Sequence, residues 1–119
     1  MPNQKRRFLR FPGDGKTCAE VDRFSKEHEP FQADLTGLVS QEAYGGCALV
    51  FLNRENLELD FHPDNRCRIK MGHMDPLPAK AVWVRNLDPD VIKVGFQYLD
   101  PMTEQARHDL DERVVTTAG

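Results

Sequence analysis

Apolar residues at every second position, broken at short intervals by turn-forming residues, constrain this chain more than any other feature. Leu57, Leu59 and Phe61 alternate with Glu58 and Asp60, and Cys67, Ile69 and Met71 alternate with Arg66, Arg68 and Lys70. A period of two sends successive side chains to opposite faces, so each run predicts a strand with one buried face. Residues 47–52 are apolar almost without interruption and predict a buried strand by their length. Weaker patterns predict strands over 17–24, 31–40, 79–86 and 91–99. Between them stand Pro12-Gly13-Asp14-Gly15, the polar stretch 25–30, Gly45-Gly46, residues 53–56, His62-Pro63-Asp64-Asn65, Asp75-Pro76-Leu77-Pro78 and Asp88-Pro89-Asp90. Short strands at such spacing predict a small barrel or sandwich. Trp83 is expected in its core, and Gly95 predicts a bulge in the last strand.

The C-terminal end changes period. Met102, Ala106, Leu110 and Val114 recur every fourth residue beside Thr103, a good cap, and predict a helix packed on the barrel by one stripe, with a partner-docking helix as the lesser alternative. Residues 116–119 are expected to fray. With 119 residues the chain fits one domain. The division expected is a flexible basic N-terminal arm over 1–12, the barrel over 13–101, and the helix and tail over 102–119.

Charge and cysteine usage narrow the function classes. A net charge of −3 disfavours nucleic acid, whose partners carry a positive excess. No apolar run reaches the roughly 18–20 residues a membrane helix needs, and no apolar stretch follows the first charges, so neither membrane insertion nor a signal peptide is expected. Cys18, Cys47 and Cys67 are odd in number and lack paired spacing, which fits reduced thiols in a cytoplasmic protein. His62, Cys67 and His73 do not have zinc-ligand spacing, and Cys47 reads as an inert core thiol. No nucleophile elbow, phosphate loop or HExxH pattern is present, so the expectation is a non-enzyme without metal or cofactor.

Two stretches remain as candidate binding elements. The arm carries Lys5, Arg6, Arg7 and Arg10 between Phe8, Leu9 and Phe11. Arginines four apart can grip phosphates through paired N–H donors, or the arm can be a solubilising tail. Gln41-Glu42-Ala43-Tyr44-Gly45-Gly46 precedes the apolar strand, where glycine permits close backbone approach or an ordinary turn.

Taken together, these features resemble the PilZ domain, a bacterial receptor module for cyclic di-GMP, over roughly residues 5–100. Arg6-Arg7-Phe8-Leu9-Arg10 looks like its RxxxR motif. Gly37-Leu38-Val39 leading to Gly46-Cys47-Ala48-Leu49-Val50 resembles its second and third strands. Ala81-Val82-Trp83 followed by Val94-Gly95-Phe96-Gln97-Tyr98 resembles its closing hairpin. The family's D/NxSxxG motif corresponds to Gln41-x-Ala43-x-x-Gly46, which keeps only the glycine. A register from Asp34-Leu35-Thr36 supplies an acid and a hydroxyl but puts Val39 at the glycine position, so the first register is preferred.

The resemblance implies a small six-stranded antiparallel β-barrel with a C-terminal helix, in a bacterial, cytoplasmic, stand-alone receptor. Arg6, Arg7 and Arg10 would take phosphates and a guanine, Gln41 a guanine edge, and Gly46 would allow backbone approach. Ordering of the arm by the ligand would then signal to a protein partner in trans. Ala43 removes a hydroxyl, worth about 0.5–1.5 kcal/mol, whereas an arginine–phosphate contact is worth about 1.5–3 kcal/mol. The stronger contacts are those the sequence retains. Lys5, before the motif, leaves one or two bound ligands open. The competing expectation is a barrel that binds no nucleotide and serves as a protein-interaction module.

Overall fold

The computed structural model describes residues 11–13, 15–26, 28–52, 61, 65–72 and 74–118. The elements are β1 (Phe11–Pro12), β2 (Cys18–Asp22), β3 (Leu35–Ala43), β4 (Gly46–Leu52), β5 (Arg66–Met71), β6 (Leu77–Asp88), β7 (Val91–Tyr98) and the helix α1 (Glu104–Ala118). The expected strand containing Leu57 and Leu59, the turn at 53–56, and His62 and His73 lie outside the described residues.

Strands β2, β3, β4, β7, β6 and β5 pair in that cyclic order, all antiparallel, and β5 returns to β2. The chain is a closed six-stranded antiparallel β-barrel with one C-terminal helix. Closure removes most of the unpaired strand edges that an open sheet would expose. Strand β1 is a short addition to β3, with Phe11 opposite Glu42 and Pro12 opposite Gln41. The Gly13 N–H then donates to the Ser40 carbonyl at 2.9 Å, which fixes the chain beside β3.

The interior is filled by the alternating residues. Ala19, Val21, Leu49, Ile69, Ala79, Ile92 and Val94 are all fully buried. Phe61 stacks on Phe51 and meets Phe96 edge-on, with centroids 5.5 and 5.6 Å away. The helix closes the barrel with Met102, Ala106 and Leu110 buried in the same core, as the four-residue spacing predicts. Its first turn is capped by Thr103, whose Oγ1 accepts from the Ala106 N–H at 3.0 Å. Tyr44, in the turn between β3 and β4, donates its hydroxyl hydrogen to Asp111 at 2.6 Å and lies under Arg107. The side chain of Val114 lies outside the described set.

Of the three register shifts in the described strands, two decide which residues around the pocket face outward, the third lying at the end of β6 between Asn86 and Asp88. Val39 pairs with Leu49 but Gln41 pairs with Ala48, so Ser40 is an extra residue in β3. Ala81 pairs with Phe96 but Trp83 pairs with Gly95, so Val82 is an extra residue in β6. One extra residue reverses the in–out alternation beyond it. In β6, Leu77, Ala79 and Ala81 point inward before the bulge and Val84 packs on the core after it. Trp83 is therefore on the outer face and only half-buried, which corrects the expectation that it is core. The irregularity beside Gly95 likewise belongs to β6 rather than to the last strand.

Candidate functional site

Directly paired residues project from the same face of a sheet. The pairings Gln41–Ala48, Ala48–Gly95 and Gly95–Trp83 thus form one row across β3, β4, β7 and β6. The middle of that row holds the two smallest side chains, so Gln41 and Trp83 stand at its ends with little between them. A parallel outer row runs Ala43–Gly46–Gln97–Lys80. On the other flank Leu38, Val50, Lys93 and Arg85 are paired in succession. Gln41, Trp83, Val84, Arg85 and Lys93 surround a pocket of about 380 Å³.

Of the six residues singled out in the sequence, Gln41, Ala43 and Gly46 come together on this face. Gln41 and Ala43 are two apart on the outer side of β3, and Ala43 is directly opposite Gly46 across the hairpin. A Cβ at Gly46 would overlap the carbonyl oxygen of Phe96. Glycine at this position therefore serves the packing of β4 on β7, independent of any ligand. Arg6, Arg7 and Arg10 lie outside the described residues. Arg10 directly precedes Phe11, which pairs with β3 next to Gln41. The alternative acid, Asp34, is engaged elsewhere: it accepts from Arg23 Nε at 2.6 Å and from the Arg23 backbone N–H at 2.8 Å.

The residues missed by sequence reasoning are Trp83, Arg85 and Lys93. Trp83 folds over Gly95, where a Cβ would overlap the indole Cε2 and Nε1 atoms. The bare glycine is what lets the ring lie against the sheet. The Arg85 guanidinium sits 5.4 Å from the centroid of that ring. Arg85 is directly opposite Lys93. The signal available in the sequence was the combination of Trp83 with Gly95, yet periodicity alone cannot reveal the bulge that turns the tryptophan outward.

The other chemically capable groups are committed to structure. Cys47 and Cys67 are buried, and burial pushes both thiols up to about 12, so they hold their protons at neutral pH. Among the described residues, no group of three or more histidine, cysteine or acidic side chains is arranged to hold a metal ion. No described helix is long and apolar enough to cross a membrane.

The fold and the site define a class: a closed antiparallel barrel with an aromatic and basic outer face, beside which its N-terminal segment is anchored. No family model matches the chain, and no curated protein matches it.

Proposed function

We propose that this barrel is a PilZ-like receptor that binds cyclic di-GMP on the outer face of β3, β4, β7 and β6. What carries the reading is the register of β1 against β3. Because Phe11 pairs with Glu42 and Pro12 with Gln41, the chain enters the barrel at the edge of that face. Arg10 is one residue away from the anchor and Arg6 is five. An extended arm covers about 3.3–3.6 Å per residue, so five residues span roughly 17 Å. Strand β1 flanks β3 on the side away from β4, so from the anchor β4 is two strand spacings away, about 10 Å, and β6 is four, about 19 Å. The arm is thus long enough to bring Arg6 over β3 and β4, with Arg10 held beside Gln41.

In this reading Arg6 and Arg10 hold phosphate and guanine, with Arg7 adding charge, while Gln41 offers an amide donor and acceptor to a guanine edge. Ala43 leaves one hydrogen bond unmade. Gly46 keeps the hairpin flat against β7. Closure of the arm over the bound nucleotide creates a composite surface that a protein partner reads, provided the ligand binds the closed state better than the open one.

The test is a calorimetric titration with cyclic di-GMP, with GTP and an Arg6→Ala/Arg10→Ala variant as controls. Micromolar or tighter binding that is absent with GTP and lost in the variant is the expected result. No heat at several concentrations and temperatures would remove the nucleotide and leave a protein-interaction module.

A further inference from the structure

We infer that the outer face around Leu52 and Val91 is a two-fold interface between copies of this chain. Leu52 and Val91 of the two copies meet at its centre, and Arg85 and Lys93 of each copy face Asp88 and Asp90 of the other. The inference goes beyond the receptor reading and does not rest on it.

Apolar side chains mark the surface. Leu49, Phe51, Ile92 and Val94 point into the barrel, so Val50, Leu52, Val91 and Lys93 on the same strands point out. Leu38 pairs with Val50 and Leu52 with Val91, which sets four apolar side chains together on the outside of β3, β4 and β7. Leu87, the extra residue at the register shift near the end of β6, adjoins the pair of Val91 and Asp88. Leu52 is 58% exposed and Leu87 51%. Of the six large apolar side chains exposed among the described residues, Leu38, Leu52 and Leu87 thus gather on one side. Single exposed apolar residues are ordinary on a protein surface, whereas a contiguous group marks a place where another molecule binds.

Charge identifies what binds. Along β6 and β7 the apolar row has cations on one side and carboxylates on the other. Arg85 is directly opposite Lys93, and Lys93 is two residues, or about 7 Å, from Val91. In the other direction the hairpin turns through Asp88-Pro89-Asp90, all exposed. The Asp90 N–H donates to Asp88 Oδ1 at 2.7 Å, which holds the turn with both carboxylates at the rim. Consider a two-fold axis lying in the interface and crossing the strands between Lys93 and Asp90. It carries the cations of one copy onto the carboxylates of the other, twice over, and lays the apolar row on itself. Each cation pair, which repels across its own strands, then gains two carboxylates. The result is an apolar centre with a charged, complementary rim. A foreign partner would call for one sign of charge, whereas both signs set about one apolar row match a second copy. The surface is small for an obligate interface, so the dimer is weak and concentration-dependent.

The experiment is sedimentation equilibrium of the full chain, without nucleotide, from about 10 µM to about 1 mM. The unsubstituted chain should dimerise within that range, and less so at high salt. Lys93→Glu, Asp90→Lys and Leu52→Ser should each weaken the dimer by about tenfold or more. Circular dichroism melts confirm that each variant is folded. Mixed in equal amounts, the Lys93→Glu and Asp90→Lys variants should associate with each other about as well as the unsubstituted chain does with itself. Each rim contact of that mixed dimer again holds two charges of each sign. A monomer at every concentration overturns the inference and leaves the patch to a different protein. A dimer that none of the three folded variants weakens overturns it too, as does a mixture of the two charge variants that stays monomeric.

Discussion

At the scale of single residues, the outer face depends on Gly95. Trp83 lies where the Cβ of any other residue at 95 would be. Gly95→Ala should therefore lift the indole and disturb the β6–β7 pairing, at a cost of about 1–3 kcal/mol. In a Trp83→Ala background the same substitution should cost much less, because the atom it strikes is gone. A double-mutant cycle in urea, with the coupling read directly, checks this. Additive losses would show that Gly95 is needed for its backbone and not for the ring. This same pair marks the limit of residue-level reading. The sequence supplies an aromatic in an alternating strand, and unbroken alternation would send it to the core with Ala79 and Ala81. The bulge at Val82 reverses the parity, and neither propensity nor period marks a bulge in advance. Ser40 acts alike in β3: beyond it Gln41 faces out and Glu42 is buried at 7% exposure.

At the scale of elements, much more was legible. The observed strands β2, β4, β5, β6 and β7 fall within a residue or two of the expected ones, because their apolar alternation is strong and their ends are marked by glycine, proline and aspartate. The exception is β3, expected over 31–40 and found at Leu35–Ala43. Its displacement has a specific cause. Asp22 accepts the Gln32 N–H at 2.8 Å, and Asp34 clamps Arg23, so the residues before Leu35 are drawn into a loop. Such long-range side-chain contacts leave no trace in local pattern. The helix was legible for the opposite reason, since its stripe and cap are local. Leu110 is fully buried beneath it. Leu110→Ala should cost about 2–5 kcal/mol, and Thr103→Ala about 1 kcal/mol by loss of the cap. Chemical denaturation measures both, and a Leu110→Ala loss below that of Thr103→Ala would mean that the helix is not anchored through this stripe.

At the scale of the whole molecule, the barrel has two unlike sides. The face of β3, β4, β7 and β6 carries Arg85, Lys93 and the Trp83 ring. The seam of β2 and β5 is stitched by a buried charge. Asp22, 1% exposed, accepts backbone N–H groups from Phe24, Ser25 and Gln32 and pairs with Arg68 of β5 at 3.0 Å. Arg68 in turn donates to the carbonyls of Glu29 and Pro30, so one ion pair ties the 23–34 loop across both strands. Burial alone would push the Asp22 carboxyl up. The converging N–H donors outweigh it and bring the carboxyl down from 3.8 to about 2. A carboxyl depressed in the folded state adds stability that is complete above its unfolded value, near pH 4, and is lost as the pH falls towards 2. The shift corresponds to about 2 kcal/mol. Asp22→Asn should lower stability at pH 7 by leaving Arg68 buried without its counter-charge. It should also flatten the dependence of stability on pH between 4 and 2. Urea unfolding at pH 7, 4, 3 and 2 separates the two effects. A variant that loses stability at pH 7 but keeps the wild-type slope in acid would assign the acid sensitivity to other carboxyls. Because the seam lies on strands that do not carry the pocket, the same variant at neutral pH should give the same calorimetric response to cyclic di-GMP as the unsubstituted chain. Loss of that response in a folded Asp22→Asn protein would mean that the two sides of the barrel are mechanically coupled.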